Sequence, residues 1–345
     1  MPQRTRRNLL KATGVAASVG LAGCGGTGGS SGGDASSTSS GGEGMTSLSP
    51  MAIAGTINHP RWSAALDQGF YADRGLDVTP QYKPFPAQIQ AVSGGSVATA
   101  LESFLPYLGN VVKGQDLVTF GFQAGLQSIN ALYVRADSDY ETIEDLKGER
   151  IGVWSFGSST VQAFEALMAE RTGLNLRKDF ETTTAAPPAL IGLLDSGKID
   201  AVIDVSSLTI KMEAQPEKYR NIVGLNEMWL NQSGHTLPLT SWWCTADWYE
   251  NNTDVAAAMV EASKETVQYW RDNTTDILQQ WGEPASITTD AQIDVVDEMA
   301  NEGHVFRKEQ SQEFVDSTWE FAALMQEHGY IDSVPAQDDV LKNPV

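Results

Sequence analysis

The segment RIGVWSFGSST (150–160) contains the unit from which we predict the fold. RIGVW is a short apolar run of the kind that forms a buried strand. Gly157 favours a tight turn, and Ser158 and Ser159 are typical of the first positions of a helix, which we expect to continue to about residue 171. A strand that leads directly into a helix is half of a βαβ unit, the building block of parallel sheets.

The same alternation recurs along most of the chain. Further predicted strands are MAIAGTI (51–57), LDVTPQY (76–82), VATAL (97–101), DLVTFGF (116–122), INALYVRA (129–136), FETTTA (180–185) and DAVIDV (200–205). The pattern predicts an α/β fold with a mainly parallel sheet and helices on both faces. After about residue 245 only amphipathic helices follow. They predict a helical tail packed on one lobe, with Ser263 on an outer helix.

The N-terminal segment MPQRTRRNLLKATGVAASVGLAGCGG (1–26) is typical of an exported protein. Its apolar run is too short to span a bilayer. TRRNLLK (5–11) resembles a twin-arginine signal, and LAGC (21–24) resembles a lipobox, in which Cys24 would carry lipid. We therefore predict a signal over 1–23 and a flexible Gly/Ser/Thr-rich tether over 24–49. The alternative is a basic, disordered N-terminus with a chance cysteine.

The charge of the chain is strongly negative. With 23 basic and 44 acidic residues the net charge is −21, and removal of the four basic residues of the signal would bring it to −25. Such a chain does not bind nucleic acid by neutralising phosphates. The charge favours a high-salt habitat, where ions screen the repulsion between carboxylates. The alternative is an ordinary acidic exported protein.

Several common chemistries have no motif here. Apart from Cys24 the chain has only Cys244, so no internal disulfide is predicted. The four histidines are scattered, without HExxH or CxxC spacing, and no metal or cofactor is expected. Three glycosylation acceptor motifs, which begin at Asn231, Asn251 and Asn273, are treated as possible surface modification.

A family resemblance rests on four segments that follow one another in this order along the chain: ALDQGFYADRGLDV (65–78), AVSGGSVATALES (91–103), YETIEDLKGERIGVWSFGSS (140–159) and ALIGLLDSGKIDAVI (189–203). Together they resemble the substrate-binding proteins of ABC importers for sulfonates, taurine, nitrate and thiamine precursors. The resemblance covers roughly residues 50–345. With the lipobox and the acidic charge, it indicates a haloarchaeal lipoprotein of this family.

The resemblance implies a two-lobed, type II periplasmic-binding-protein fold with a ligand in the cleft. We place the crossovers between lobes near 137–149 and 236–246. Lobe one is then 50–140 plus 245–345, and lobe two is 146–238. The implied protein is a monomer without catalytic activity. A lipid anchor holds it on the outer face of the cell membrane, where it delivers a small molecule to the permease and ATPase subunits of an importer.

Candidate ligand-binding residues follow the predicted strands, because ligands of open α/β sheets lie beyond the carboxyl ends of strands. They are Asn58, His59 and Arg61, then Glu102, Ser103 and Phe104, then 155–159 including Phe156, and finally Asp204, Ser206 and Ser207. Arg61 could pair with an anionic ligand or extend along the surface. Asp204 could pair with an ammonium group or be a plain loop residue.

Two further pairs of candidate ligand-binding residues are compatible with more than one class of ligand. Ser158 and Ser159 could bind an anion at a helix start, or Ser158 could only cap the helix. The resemblance favours the anion, since sulfonate binders carry a similar Gly-Ser-Ser. Trp242 and Trp243 could form an aromatic wall, although neighbours on a strand alternate and at most one should face ligand. The family often has Trp-x-Pro where this chain has Asp204-Val205-Ser206.

Three functions are compatible with these features. The first is a binding protein for a small anion of the sulfonate, taurine or nitrate type. The second is a binding protein for a thiamine pyrimidine precursor, which would depend more on ring stacking. The third is an enzyme similar to thiamine-pyrimidine synthases, which share the fold and use a cysteine-rich segment. Cys244 is the only cysteine after the predicted tether, so this chain has no cysteine-rich segment, which argues against the enzyme. A further hypothesis is a tethered sensor domain. The sequence argues against it, because no transmembrane segment for signalling is predicted.

Overall fold

The computed structural model describes residues 40–41, 44–53, 55–83, 85–123, 130–205, 207–237, 240–301 and 311–342. All of them belong to one compact unit, 37–345. The predicted signal, Cys24 and most of the predicted tether lie outside the described residues. Among the described helices, none has the length and apolar character needed to cross a membrane.

Strands and helices are interspersed as far as residue 245. The described elements that follow are all helices. The strands are β1 (Ser40–Gly41), β2 (Met45–Leu48), β3 (Met51–Ile53), β4 (Leu76–Val78), β5 (Gln81–Lys83), β6 (Ala100–Ser103), β7 (Leu117–Gln123), β8 (Asn130–Arg135), β9 (Arg150–Val153), β10 (Glu181–Thr184), β11 (Ala201–Val205), β12 (Tyr219–Gly224) and β13 (Thr240–Thr245). The helices are α1 (Asn58–Asp67), α2 (Phe85–Ser93), α3 (Phe104–Val112), α4 (Ser159–Thr172), α5 (Pro187–Asp195), α6 (Ser207–Glu213), α7 (Leu225–Ser233), α8 (Ala246–Asn251), α9 (Thr253–Trp281), α10 (Asp290–Asn301), α11 (Gln312–Glu327) and α12 (Gln337–Val340).

Two five-stranded sheets form the body of the protein. Sheet one has the order β5-β3-β6-β13-β7, and sheet two has the order β10-β9-β11-β8-β12. In each sheet four strands run in the same direction, and the fifth, β13 in sheet one and β8 in sheet two, is antiparallel to both of its neighbours. The α/β class is confirmed. Most strands of each sheet share one direction, as predicted, and the reversed strands β8 and β13 make both sheets mixed.

The strand pairing also corrects the predicted lobe boundaries. β8 pairs with β11 and β12, so residues 130–140 belong to sheet two rather than to lobe one. The first crossover therefore lies between β7 and β8, before the predicted 137–149. β13 is fully inside sheet one, between β6 and β7, so the second crossover ends before residue 240. The folded part also starts before residue 50. β2 lies within the segment predicted to be a tether, and it pairs with β4.

The segment 150–160 folds as predicted, with one requirement that the sequence did not reveal. Gly152 lies in the middle of β9, where a Cβ atom would stand 2.6 Å from Ile199 Cδ1 and 2.9 Å from Leu190 Cδ2. Both neighbours are buried, so they have little room to move. The glycine therefore lets α5 pack closely on the sheet.

The C-terminal helices contact both sheets, contrary to the expected packing on one lobe. α9 packs along α1 beside sheet one, whereas α10 contacts α6, the helix that connects β11 and β12 of sheet two. On α11, the Phe314 ring contacts Phe122 of β7, and Phe321 contacts Trp229 of α7. The chain then returns to sheet one, where the Lys342 N–H donates to the Thr119 carbonyl at 2.7 Å. The tail is thus a third connection between the sheets.

Candidate functional site

The carboxyl ends of parallel neighbours bring the predicted loops together in two groups. β3, β5 and β6 end at one edge of sheet one. That edge collects the start of α1, Tyr82 and Ser103. β9 and β11 end at one edge of sheet two, which collects residues 154–159 and the start of α6. Ser206 lies outside the described residues. Asp204 is on β11 opposite Ala131, and its side chain, like those of Glu102 and Ser207, is not described.

An aromatic pair lies at the edge of sheet one. His59, in the first turn of α1, stacks on Tyr82 of β5 with ring centroids 4.3 Å apart and an interplanar angle of 19°. Both side chains are half-buried. Desolvation lowers the pKa of His59 and raises the pKa of Tyr82 to about 12. Tyr82 is not among the predicted residues, although its place at the end of a predicted strand could have identified it.

Asn58 and Arg61 are more buried than predicted. Asn58 is the first residue of α1, and its N–H donates to Thr56 Oγ1 at 3.4 Å. Arg61 is 1% exposed, which rules out a side chain extended along the surface. Its guanidinium lies 5.4 Å from the centre of the Trp62 ring. Burial lowers the pKa of Arg61 to about 10, opposed by the nearby hydroxyl groups of Tyr71 and Tyr82.

Ser103 has a cross-strand neighbour that the sequence did not suggest. It ends β6 and pairs directly with Thr240, the first residue of β13, and both are half-buried. Thr240 was assigned to a crossover by sequence, so no signal pointed to it. Phe104, the next residue, is fully buried against Trp243, Phe122 and Trp319 and serves the core.

At the edge of sheet two, Ser158 caps α4. Its Oγ accepts a hydrogen bond from the Val161 N–H at 3.4 Å, and its side chain is buried. Ser159 and Thr160, the first two residues of the helix, are half-buried and keep part of their surface in solvent. Gly157 has no positive φ, and a Cβ there would meet only Ser155 Oγ at an ordinary 3.6 Å. The predicted tight turn is present, closed by the Ser158 N–H that donates to the Ser155 carbonyl at 3.1 Å, and it does not require a glycine at 157.

The loop before α4 is held by an arginine. The Arg177 guanidinium lies 4.2 Å from the centre of the Phe156 ring. It also donates two hydrogen bonds to the Glu165 carboxylate, at 2.7 and 2.8 Å. Glu165 is buried and also hydrogen-bonds the Tyr330 side chain, which follows α11. The Phe156 carbonyl accepts from Gln162 Nε2 at 3.3 Å. Phe156 is thereby fixed to α4 and to the C-terminal tail.

Both candidate tryptophans are core residues. Trp242 is 1% exposed, packs on Trp62 and Phe120, and donates from Nε1 to Ser263 Oγ at 3.2 Å. Trp243 is 0% exposed and stacks on Tyr107 on the opposite face of sheet one. The two rings do alternate, but the faces they pack on are both covered by helices. Neither ring is an exposed aromatic wall.

The described surface depressions lie away from these two edges. One of about 460 Å³ lies between the end of α1 and α9 and is lined by Asp67, Tyr269 and Asp276 among others. Another of about 350 Å³ lies between α4 and α7. Within the part of the chain that the structure describes, no three His, Cys, Asp or Glu side chains are grouped to hold a metal ion.

Sheet two is built from consecutive strands, and β13 then returns to complete sheet one. Together with the polar loops at the carboxyl ends of the parallel strands, this arrangement is the two-lobed α/β fold seen in periplasmic binding proteins. The sequence matches the NMT1/THI5-like family over residues 56–276, and the chain belongs to that family.

Solved structures with this fold have diverged far in sequence. A putative periplasmic sulfonate-binding protein, SsuA from Methylobacillus flagellatus, superposes with a TM-score of 0.68 at 15% identity, covering 87% of this chain and 92% of that one. The nitrate-binding protein NrtA from Synechocystis gives 0.58 at 14% identity, covering 86% of each. The desulfurization enzyme DszB gives 0.60 at 14% identity, covering 86% and 96%. No curated protein matches in sequence.

Proposed function

We propose that this protein is the extracytoplasmic solute-binding component of an ABC importer. The observation that carries the proposal is the pair of polar loop clusters, one at the carboxyl edge of each sheet, on lobes connected by the chain's crossovers. Such an arrangement can close on a small molecule between the lobes. The fold shared with proteins named as sulfonate- and nitrate-binding supports this role. The implied partners are permease and ATPase subunits, with the binding protein as a monomer.

The proposed ligand is a small anion of the sulfonate, taurine or nitrate type. The N-terminus of α4 offers backbone N–H groups and the positive end of a 14-residue helix. Because the Ser158 side chain is buried and Ser159 is half-buried, the hydroxyl more accessible to a ligand is that of Ser159. The sequence predicted that Ser158 and Ser159 both bind the anion. We now propose that the Ser159 hydroxyl and the backbone N–H groups at the start of α4 bind it.

Isothermal titration in high salt with taurine, nitrate and a hydroxymethyl pyrimidine tests the ligand class. Each charge-assisted hydrogen bond contributes about 1.5–3 kcal/mol, so Ser159→Ala should weaken anion binding by roughly ten- to a hundredfold. The matched control is Ser196→Ala, since Ser196 is exposed and ends α5, a helix that runs away from the carboxyl edge. Unchanged anion affinity in Ser159→Ala would contradict the proposal.

One observation favours the alternative, a thiamine pyrimidine precursor. The His59–Tyr82 stack offers an aromatic surface at the edge of sheet one, where a planar ring could add to it. Tyr82→Ala should then abolish pyrimidine binding while Ser159→Ala leaves it unchanged. Anion binding predicts the opposite order of the two variants.

A catalytic role is less compatible with the one described cysteine, although a desulfurization enzyme shares the fold. Cys244 is fully buried in sheet one, and desolvation raises the pKa of its thiol well above the ordinary range. A thiol held neutral and out of solvent is a poor nucleophile. We therefore propose binding without catalysis.

The proposed location is the outer face of the cell membrane, with a lipid on Cys24 after export by the twin-arginine route. Cys24→Ser should release the protein into the medium, and replacement of Arg6 and Arg7 by Lys should block its export. Cell fractionation measures both. Unchanged membrane association of Cys24→Ser would overturn the anchor, and normal export of the lysine variant would overturn the route.

A further inference from the structure

The three glycosylation acceptor motifs differ sharply in their structural settings. Each has the form Asn-x-Ser/Thr, and they begin at Asn231, Asn251 and Asn273. A protein modified after it has folded presents only those motifs whose asparagine is exposed and whose backbone can leave regular structure at low cost. The three sites can be ranked on these two properties.

The motif at Asn251 lies across a break between two helices. Asn251 is the last residue of α8 and Thr253 the first of α9, and both side chains are exposed. Asn252 between them is non-helical, with φ −138° and ψ 34°. The Asn251 amide Nδ2 donates only to its own helix, to the Asp247 carbonyl at 2.8 Å and to the Asp247 carboxylate at 3.4 Å. The Thr253 hydroxyl donates to the Tyr249 carbonyl at 3.2 Å, so opening this corner breaks hydrogen bonds to α8, and no residue of the motif is buried.

The motif at Asn273 has a similar backbone angle but a different environment. Asn273 forms the kink of α9, with φ −140° and ψ 26°, and its Nδ2 donates to the Tyr269 carbonyl. The middle residue, Thr274, is 2% exposed and donates to the Trp270 carbonyl. Trp270 and Ile277 on either side are buried as well. Pulling this motif away from the helix would expose that core.

The motif at Asn231 is exposed but helical. Asn231 and Ser233 lie in the last turn of α7. The Ser233 hydroxyl is engaged on both sides, donating to the Trp229 carbonyl at 2.9 Å and accepting from the His235 N–H at 3.1 Å. Access to this motif requires unwinding the end of α7.

We propose that Asn251 is a site of N-linked glycosylation and that Asn273 is not. The donor is an oligosaccharide linked through pyrophosphate to a lipid. The bond between the first sugar's C1 and the pyrophosphate oxygen breaks, a bond from C1 to Asn251 Nδ2 forms, and the amide proton leaves with the lipid pyrophosphate. The enzyme that transfers the oligosaccharide, an oligosaccharyltransferase, recognises the Thr253 hydroxyl as part of the motif.

The position of Asn251 keeps a glycan away from the proposed ligand site. β13 runs antiparallel to β6 and β7, and Thr245 at its end pairs with Leu117 at the start of β7. α8, which follows β13, therefore lies at the edge of sheet one opposite the carboxyl ends of β3 and β6. A glycan there adds a hydrophilic group without covering the candidate ligand residues.

The test uses the folded full chain, a purified single-subunit oligosaccharyltransferase and a lipid-pyrophosphate oligosaccharide, with peptide mapping by mass spectrometry. Modification of Asn251 should exceed that of Asn273 by at least about tenfold in rate, equivalent to 1.4 kcal/mol. Asn251→Gln and Thr253→Ala should abolish it, whereas Thr253→Ser and Asn273→Gln should retain it. The urea-unfolded chain should be modified at both sites, which shows that both motifs are competent.

Two outcomes would overturn the proposal. One is a folded chain modified at Asn273 as fast as at Asn251. The other is a folded chain left unmodified at Asn251 under conditions in which the unfolded chain is modified there. Since the assay is carried out with purified components, its result does not depend on the export route or on ligand binding.

Discussion

The Ser158 side chain shows how burial separates two roles that one sequence pattern allows. Its hydroxyl accepts from the Val161 N–H inside the fold, so its role is to cap α4, while Ser159 keeps contact with solvent. A capping serine and a ligand-binding serine have the same preference for a helix start. The distinction depends on which way each side chain points.

Ser158→Ala should lower the free energy of unfolding by about 1 kcal/mol, the usual loss for an N-cap serine. Ser158→Thr should retain most of the stability. Urea unfolding in high salt followed by circular dichroism measures the difference. Ser159→Ala is the control on the adjacent residue and should change stability little. Equal losses in the two alanine variants would show that the cap is not specific to Ser158.

The Arg177 guanidinium links the candidate loop to the rest of the protein. It lies between the Phe156 ring and the buried Glu165 carboxylate, and its hydrogen bond with Glu165 raises the pKa of Arg177. Arg177→Ala leaves that carboxylate without its bidentate partner, which should cost about 1–3 kcal/mol of stability. Arg177→Lys should recover only part, because an ammonium group cannot form the planar paired contact.

Hydrogen exchange of the amides at 155–157 distinguishes this positioning role from a general loss of stability. Exchange there should accelerate in Arg177→Ala at a denaturant concentration where the core amides remain protected. The matched control is Lys264→Ala, which removes the exposed Lys264–Glu261 pair and should cost less than about 0.5 kcal/mol. If loop and core amides accelerate together, Arg177 does not position the loop specifically.

Among the elements, β13 and α9 are joined by a buried polar contact that a single serine makes possible. Ser263 of α9 accepts from Trp242 Nε1 at 3.2 Å and hydrogen-bonds the Tyr71 hydroxyl at 3.3 Å. The sequence placed Ser263 on an outer helix, but it is 3% exposed. The helix covers sheet one, so its polar residue serves the two buried aromatic side chains rather than solvent.

Ser263→Ala should destabilise the protein by about 1–3 kcal/mol, because a buried indole N–H and a buried phenol lose their partner. In a double-mutant cycle with Tyr71→Phe the two losses should not add. Thr275→Ala, on an exposed position of the same helix, is the control for the change in helix composition. A loss in Ser263→Ala no larger than in the control would mean that the contact contributes nothing.

For the molecule as a whole, the net charge of −21 sets the dependence of stability on salt. The 44 acidic residues outnumber the 23 basic residues that could pair with them, so carboxylate repulsion opposes the compact state. The Debye length falls from about 10 Å at 0.1 M salt to about 3 Å at 1 M, which screens this repulsion. The melting temperature should therefore rise between 0.1 M and 2 M KCl.

Differential scanning calorimetry at fixed pH measures this rise. Sucrose at matched osmolality controls for a general solute effect, since it does not screen charge. A melting temperature that stays constant in KCl, or rises equally in sucrose, would contradict the high-salt interpretation of the composition.

Local sequence patterns were enough to predict the α/β class, most strand and helix positions, the all-helical C-terminal part and the loops that follow the parallel strands. These depend on local apolar patterns and turn residues, which a short window of sequence contains. The tertiary structure decided the reversed strands β8 and β13, the lobe boundaries, the helices shared between sheets and the burial of Arg61, Trp242 and Trp243. It also decided the need for Gly152 and the pairing of His59 with Tyr82. These depend on contacts between residues distant in the chain, and a strand's pattern is the same whichever sheet and direction it joins.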